Sequence, residues 1–159
     1  MSTPFLDEVY EQVDFDRELV FKFFTVFSLF EYALKQQTRF RTFRQGRLKP
    51  NWDSFARDIH KRFDQESVRE SVDYLLNHPP RKQTLVNGFL DYEETKRDEP
   101  NEIVWLSRLI RRVRNNLFHG GKFGYKPERD TPLMIHSLLI LEAWAQCDHE
   151  VENALCLVR

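Results

Sequence analysis

The stretch 108–119 holds Arg108, Arg111, Arg112 and Arg114 and closes on His119, a pattern with the makings of anion binding and proton transfer. With residues about 100° apart on an α-helix, Ile103, Leu106, Leu109, Ile110, Val113 and Leu117 share one face, which must be core. Arg108, Arg112, Asn115 and His119 form a stripe on the opposite side, and Arg114 lies at the edge of the core face. Solvated faces ordinarily mix charge signs, yet no acid occurs between Glu102 and Glu128. Guanidinium groups placed this way repel one another unless an anion or a partner surface neutralises them. The favourable meeting of cations with a helix C-terminus accounts for one or two of the four. At the helix end, carbonyl dipoles favour the protonated imidazole of His119, so it is expected to serve as a general acid or base. Gly120-Gly121 let the chain turn away and a bulky ligand approach the backbone. A capping histidine is the plainer reading of the same residue.

The element that positions this stripe reads as a helix over 101–119, capped by Asn101. A first helix is expected over 16–40, with Leu19, Val20, Phe23, Val26, Phe27, Phe30 and Leu34 on a broad apolar arc. The residues from 39 to 49 then break the pattern as a basic loop marked by Gly46 and Pro50. Asn51 or Asp53 caps a helix that carries Trp52, Phe55, Ile59 and Phe63. A short helix over 67–76 stops at Asn77-His78-Pro79-Pro80, and another is expected over 82–92, with Leu85, Val86, Phe89 and Leu90 apolar. A charged connector follows at 94–100. Thr131 and Pro132 begin a last helix over 131–157, apolar on nearly all sides from Leu133 to Trp144, which should be central and should bury Leu138 and Leu141. No strand-like alternation is evident. The expected fold is all-α: one domain over 1–159, a bundle of about five to six helices.

Composition supports a packed core, with 14 Phe in a chain of 159 residues, while only 5 Gly and 7 Pro argue against sandwiches and barrels. A net charge of −1 argues against a general polyanion binder. Charge is uneven, however: residues 39–62 and 108–126 are basic, and 91–102 and 142–152 lean acidic. Local basic surface is what nucleic-acid contact requires, although such runs also serve simply as solvated faces. Cys147 and Cys156 form no CxxC pair and read as reduced thiols. A zinc site from Cys147, His149 and Cys156 lacks a fourth ligand at usable spacing, so neither metal nor cofactor is expected. His60, His78, His136 and His149 make no triad, and His136 reads as a satisfied core or interface residue. The N-terminal residues lack a basic segment followed by an apolar one, and no apolar run reaches membrane-spanning length, so the expectation is a cytoplasmic protein without a membrane partner.

Arg114-Asn115-Asn116-Leu117-Phe118-His119 resembles the signature of the HEPN family, an arginine followed after a few residues by a histidine, usually with a polar residue after the arginine. The string from Val113 to Lys122, ending His-Gly-Gly-Lys, is similar to small stand-alone prokaryotic HEPN proteins of toxin and defence systems. The resemblance implies a helical bundle with the motif at a helix end, and a homodimer whose two motifs build one composite site. It also implies a metal-independent endoribonuclease acting on RNA, a toxin or anti-phage defence effector with a cognate antitoxin or defence partner. On that reading Arg114 holds the scissile phosphate, His119 moves the proton and Asn115 orients one or the other. Family members often carry an acid on an early helix near the motif. Glu31 is the candidate here, with an exposed Glu31–Lys35 ion pair as the alternative. Arg108, Arg111, Arg112, Lys122, Lys126 and Tyr125 would line the RNA path, Tyr125 by stacking on a base.

Two other function classes fit the same residues: a non-catalytic module that holds nucleotide or RNA, and a helical protein-interaction domain using the last helix as its interface. A homodimer is expected on a residue-level ground as well, since acidic segments of a second copy could meet the arginine stripe across a two-fold axis.

Overall fold

The computed structural model describes residues 3–12, 14, 16–118 and 126–156. Helices dominate, as the apolar periodicities require, but the fold is not purely α: two antiparallel β-hairpins stand among seven α-helices in the described residues. The helices are α1 (Pro4–Glu11), α2 (Arg17–Gln36), α3 (Trp52–Ile59), α4 (Arg69–Asn77), α5 (Glu102–Phe118), α6 (Pro127–Ala145) and α7 (His149–Cys156). The strands are β1 (Arg41–Arg44), β2 (Arg47–Pro50), β3 (Lys82–Val86) and β4 (Phe89–Glu93).

Capping sets the helix starts. Asp16 accepts the Leu19 N–H at 2.9 Å and opens α2, while Asn51, rather than Asp53, accepts the Ser54 N–H at 3.1 Å and opens α3. Asn101 accepts from Ile103 and Val104 at 3.0 and 3.1 Å and opens α5. These starts agree with the sequence reading. α1 is an addition to it, capped by Thr3 and burying no residue.

Both hairpins correct it. The expected helix over 82–92 is β3–β4, and the expected basic loop is β1–β2 preceded by a 3-10 turn over Thr38–Phe40. The turn residues Asn87 and Gly88 have φ of 53° and 81°, and Gln45 and Gly46 have 52° and 69°. Two consecutive left-handed residues make a type I′ turn, whose twist matches a two-residue hairpin and which no helix accommodates. Leu85, Val86, Phe89 and Leu90 have helix-like spacing, yet they pair across strands as Leu85↔Leu90 and Val86↔Phe89 and stay exposed.

The core is a chain of aromatic rings. Trp52 stacks on Phe30 with centroids 5.1 Å apart and planes 10° apart, and Phe27 lies 5.2 Å from the same indole. Phe55 meets Phe30 and Phe40 edge-on at 5.3 Å each and reaches Trp144 at 6.3 Å. Edge and offset contacts of this kind add to the area they bury. α3 packs on α5, α4 on α6, and α2 on both α6 and α7.

The expected last helix over 131–157 is two helices. α6 begins earlier, at Pro127, where the buried Asp130 carboxylate accepts the Lys126 N–H at 2.9 Å, and Pro132 lies inside it. α7 is set off by Asp148, also buried, which accepts the Val151 N–H at 3.1 Å while binding Gln37 at 3.0 Å and Arg39 at 2.6 Å. α6 is not apolar to the core on all sides: Ile135 and Leu139 are exposed and Leu138 is half-buried, whereas Leu141 is fully buried. An open groove of about 630 Å³ runs between α2, α6 and α7, lined by Leu19, Val26, Leu29, Leu138 and Leu139 among others. No helix of the described residues is long and apolar enough to cross a membrane.

The two leucines of α6 should therefore separate in a stability measurement. Leu141→Ala should cost about 2–5 kcal/mol, the range for a buried leucine. Leu138→Ala, which opens onto the groove, should cost less than half as much, read from urea unfolding midpoints at equal slope.

Candidate functional site

α5 carries the arginines where the periodicity puts them, but its surroundings differ from the expectation. Its first turns are buried all round, Val104 and Trp105 included, because α3 and the connector over 94–101 pack across the side opposite the apolar face. That packing brings acids. Arg108 donates to Asp53 at 2.9 Å and Asp98 at 3.2 Å, and stands 3.1 Å from Glu99. Arg111 reaches the other oxygen of Asp53 at 3.3 Å, and Arg112 donates to the Thr95 hydroxyl at 2.7 Å. Arg108 and Arg111 are therefore compensated within the chain, by Asp53 far away in sequence and, for Arg108, by Asp98 and Glu99 in the preceding connector. This corrects the expectation of an uncompensated arginine face and removes the residue-level motive for a second copy to neutralise it. Arg108 and Arg111 are thus engaged by acids of the same chain, and Arg112 by a hydroxyl. The hydrogen bond that Arg108 donates to Asp53 raises the pKa of Arg108, whereas burial lowers those of Arg111 and Arg112.

Arg114 is different. It leaves α5 toward α2, where its Nη2 lies 3.4 Å from Glu31 Oε1 and its guanidinium carbon 5.0 Å from the Phe27 ring centroid. Glu31 accepts a second bond, 3.1 Å from Trp52 Nε1. The pair is partly accessible, with 26% of the Arg114 side chain and 21% of the Glu31 side chain exposed. Two residues singled out separately in sequence, 83 positions apart, thus meet at one place. Glu31 is engaged by α3 and α5, not by Lys35 one turn on in α2.

Asn115 is exposed, beside the site. Asn116 is the buried amide of the motif and donates to the Arg81 carbonyl at 2.9 Å, tethering the root of β3. Sequence reasoning passed over Asn116, although it stands only about 20° from the apolar arc, with Asn115 about 120° away. Lys126 is exposed at the N-cap of α6. His119, Lys122 and Tyr125 lie outside the described residues, as do Gly120 and Gly121.

Also missed by the sequence reading is an exposed aromatic face next to the pair. Phe21, Phe24 and Tyr32 project from α2 into solvent, and Phe24 meets Phe118, one turn beyond Arg114, edge-on at 5.4 Å. Their spacing of i, i+3 and i+11 was the available signal. The groove between α2, α6 and α7 opens on the side of α2 roughly opposite Glu31, at about 100° per residue, and is separate from this site. Among the described residues no three His, Cys, Asp or Glu side chains are grouped to hold a metal ion. His136 is half-buried, bonded to Ser71 at 3.1 Å and stacked on Tyr74, and burial holds its pKa below the usual histidine value.

Compared with known protein families, curated proteins and solved structures, the chain matches none.

Because Asp53 serves two arginines, Asp53→Ala should cost about 1–3 kcal/mol by leaving charged partners unsatisfied at a partly buried place. Asp98→Ala, which removes an exposed partner of Arg108, should cost about 0–1 kcal/mol. Equal unfolding midpoints for the two variants would contradict this division of roles.

Proposed function

We propose that the chain is a metal-independent endoribonuclease of the HEPN type, acting as a toxin or defence effector, with Arg114 and His119 at its centre and Glu31 and Asn115 beside them. The observation that carries the reading is the Arg114–Glu31 pair, which joins the arginine of the motif to an acid on the early helix. In this reaction the substrate's 2′-hydroxyl oxygen attacks the adjacent phosphorus and the bond to the 5′-oxygen breaks. The products are a 2′,3′-cyclic phosphate and a 5′-hydroxyl. His119 takes the 2′ proton or gives one to the leaving oxygen, and Arg114 stabilises the charge that gathers on the phosphoryl oxygens. Glu31 holds the guanidinium in place against the Phe27 ring.

RNA incubated with the protein should be cut in the presence of EDTA, with those end groups, and DNA should be untouched. His119→Ala should lower the rate roughly 10²–10⁴-fold, as loss of a general acid or base does. Arg114→Ala should be comparably severe, and Arg114→Lys should not restore activity, because an ammonium cannot reproduce a two-point phosphate contact. Glu31→Gln keeps an acceptor for Trp52 and should leave the fold intact while lowering activity. A 3′-hydroxyl product or full activity in His119→Ala would overturn the mechanism.

The partner in this reading is a second copy that contributes its own motif. The exposed face of Phe21, Phe24, Tyr32 and Phe118 supports it, being apolar and reaching α5 at Phe118, one turn from Arg114. Sedimentation should give a dimer at micromolar concentration, and Phe21→Ser with Phe24→Ser should give a folded monomer of low activity. A fully active wild-type monomer would sink the dimer.

A further inference from the structure

Among the described residues, a cluster of cations without ion-pair partners stands on the first hairpin. Between Glu31 and Asp53 the chain has no acid, but carries Lys35, Arg39, Arg41, Arg44, Arg47 and Lys49. Two of these are structural and anchor the root of the hairpin. Arg39 binds the buried Asp148 at 2.6 Å and lies over the Phe40 ring, and Arg41 donates to the Lys35 and Gln36 carbonyls that end α2. The Asn51 N–H closes the root by donating to the Phe40 carbonyl at 2.7 Å.

Beyond that root the pairing Arg41↔Pro50, Thr42↔Lys49, Phe43↔Leu48 and Arg44↔Arg47 sorts the side chains by face, since neighbours along a strand alternate. One face holds Arg44, Arg47 and Lys49 around Thr42, and among the described residues none of the three cations has an ion-pair partner. Arg44 and Arg47 are directly opposite each other, an arrangement that costs stability unless an anion lies between them. The other face holds Phe43, 71% exposed, beside Leu48. A hairpin with a rigid root, three unneutralised cations on one side and a bare phenyl ring on the other is equipped to bind a charged chain that also carries flat apolar groups.

We infer that the β1–β2 hairpin is the RNA-docking arm of this protein, with Arg44, Arg47 and Lys49 contacting successive phosphates of a single strand and Phe43 stacking on an unpaired base. The inference deepens the ribonuclease reading, on which it rests for the choice of RNA as the polyanion. The chain leaves α2 five residues after Glu31, forms the hairpin and re-enters at Trp52, whose indole donates to Glu31. At about 1.5 Å per helical residue, the root stands within roughly 10 Å of the level of Glu31 along α2. A strand held at the arm is thereby delivered toward Arg114.

The test is binding of a fluorescent single-stranded 2′-O-methyl RNA to the full chain, followed by anisotropy across a salt series. This probe has no free 2′-hydroxyl, so binding is read whether or not the protein cuts RNA. The triple variant Arg44→Ala, Arg47→Ala, Lys49→Ala should lose at least about tenfold in affinity at low salt, and its salt slope should fall by about 2, given roughly 0.7 per phosphate contact on single strands. Arg47→Glu should lose binding too, although it places an acid opposite Arg44 and so favours the hairpin, which excludes unfolding as the cause. Phe43→Ala should lose about fivefold or more with the slope unchanged. Wild-type affinity and slope in the triple variant, as expected if the arm instead meets an acidic protein, would overturn the inference, as would failure of the wild-type chain to bind the probe. Binding that behaves as described, with no cutting of natural RNA, would instead defeat the ribonuclease reading and leave the arm standing.

Discussion

The buried indole of Trp52 is the point on which the frame and the candidate site both turn. Its ring packs on Phe27 and Phe30 inside the core, where an indole N–H left unpaired costs free energy. The acceptor is Glu31, a carboxylate drawn to the edge of the core. A carboxylate there requires a counter-charge, and α5 supplies it as Arg114. One aromatic side chain thus ties α2, α3 and α5 together and sets where the arginine of the motif stands.

Charge follows the same logic of distant compensation. α5 is locally cationic, but the fold lays α3 and the connector over 94–101 against it, and Asp53, Asp98 and Glu99 neutralise Arg108 and Arg111. The hairpin β1–β2 receives no such cover beyond its root, so its cations face solvent. Two segments of similar basicity therefore have opposite standing: one is mortar between elements and the other is surface available to a polyanion.

The C-terminal part shows how a buried carboxylate can organise several elements. Asp148 caps α7, binds Gln37 at the end of α2 and holds Arg39 at the root of the hairpin. The break between α6 and α7, the position of the hairpin and the end of α2 are consequently coupled through a single side chain with little access to water.

By itself the sequence determined the helical frame. The apolar spacing along α2 and α5, and the caps Asp16, Asn51 and Asn101, depend only on residues a few positions apart, and that is the range over which helix geometry acts. It also contained the turn chemistry of Asn87-Gly88, which outweighs the helix-like spacing around it because two left-handed residues in succession end a helix. The motif was legible as a string, and Glu31 as a carboxylate out of place on an apolar arc. That Arg114 meets Glu31, that Arg108 and Arg111 share Asp53, and that the long C-terminal apolar run bends at Asp148 were decided only by tertiary structure. Each depends on partners between 55 and 111 residues away being brought within hydrogen-bond reach, and no local periodicity encodes which charge a folded neighbour will supply.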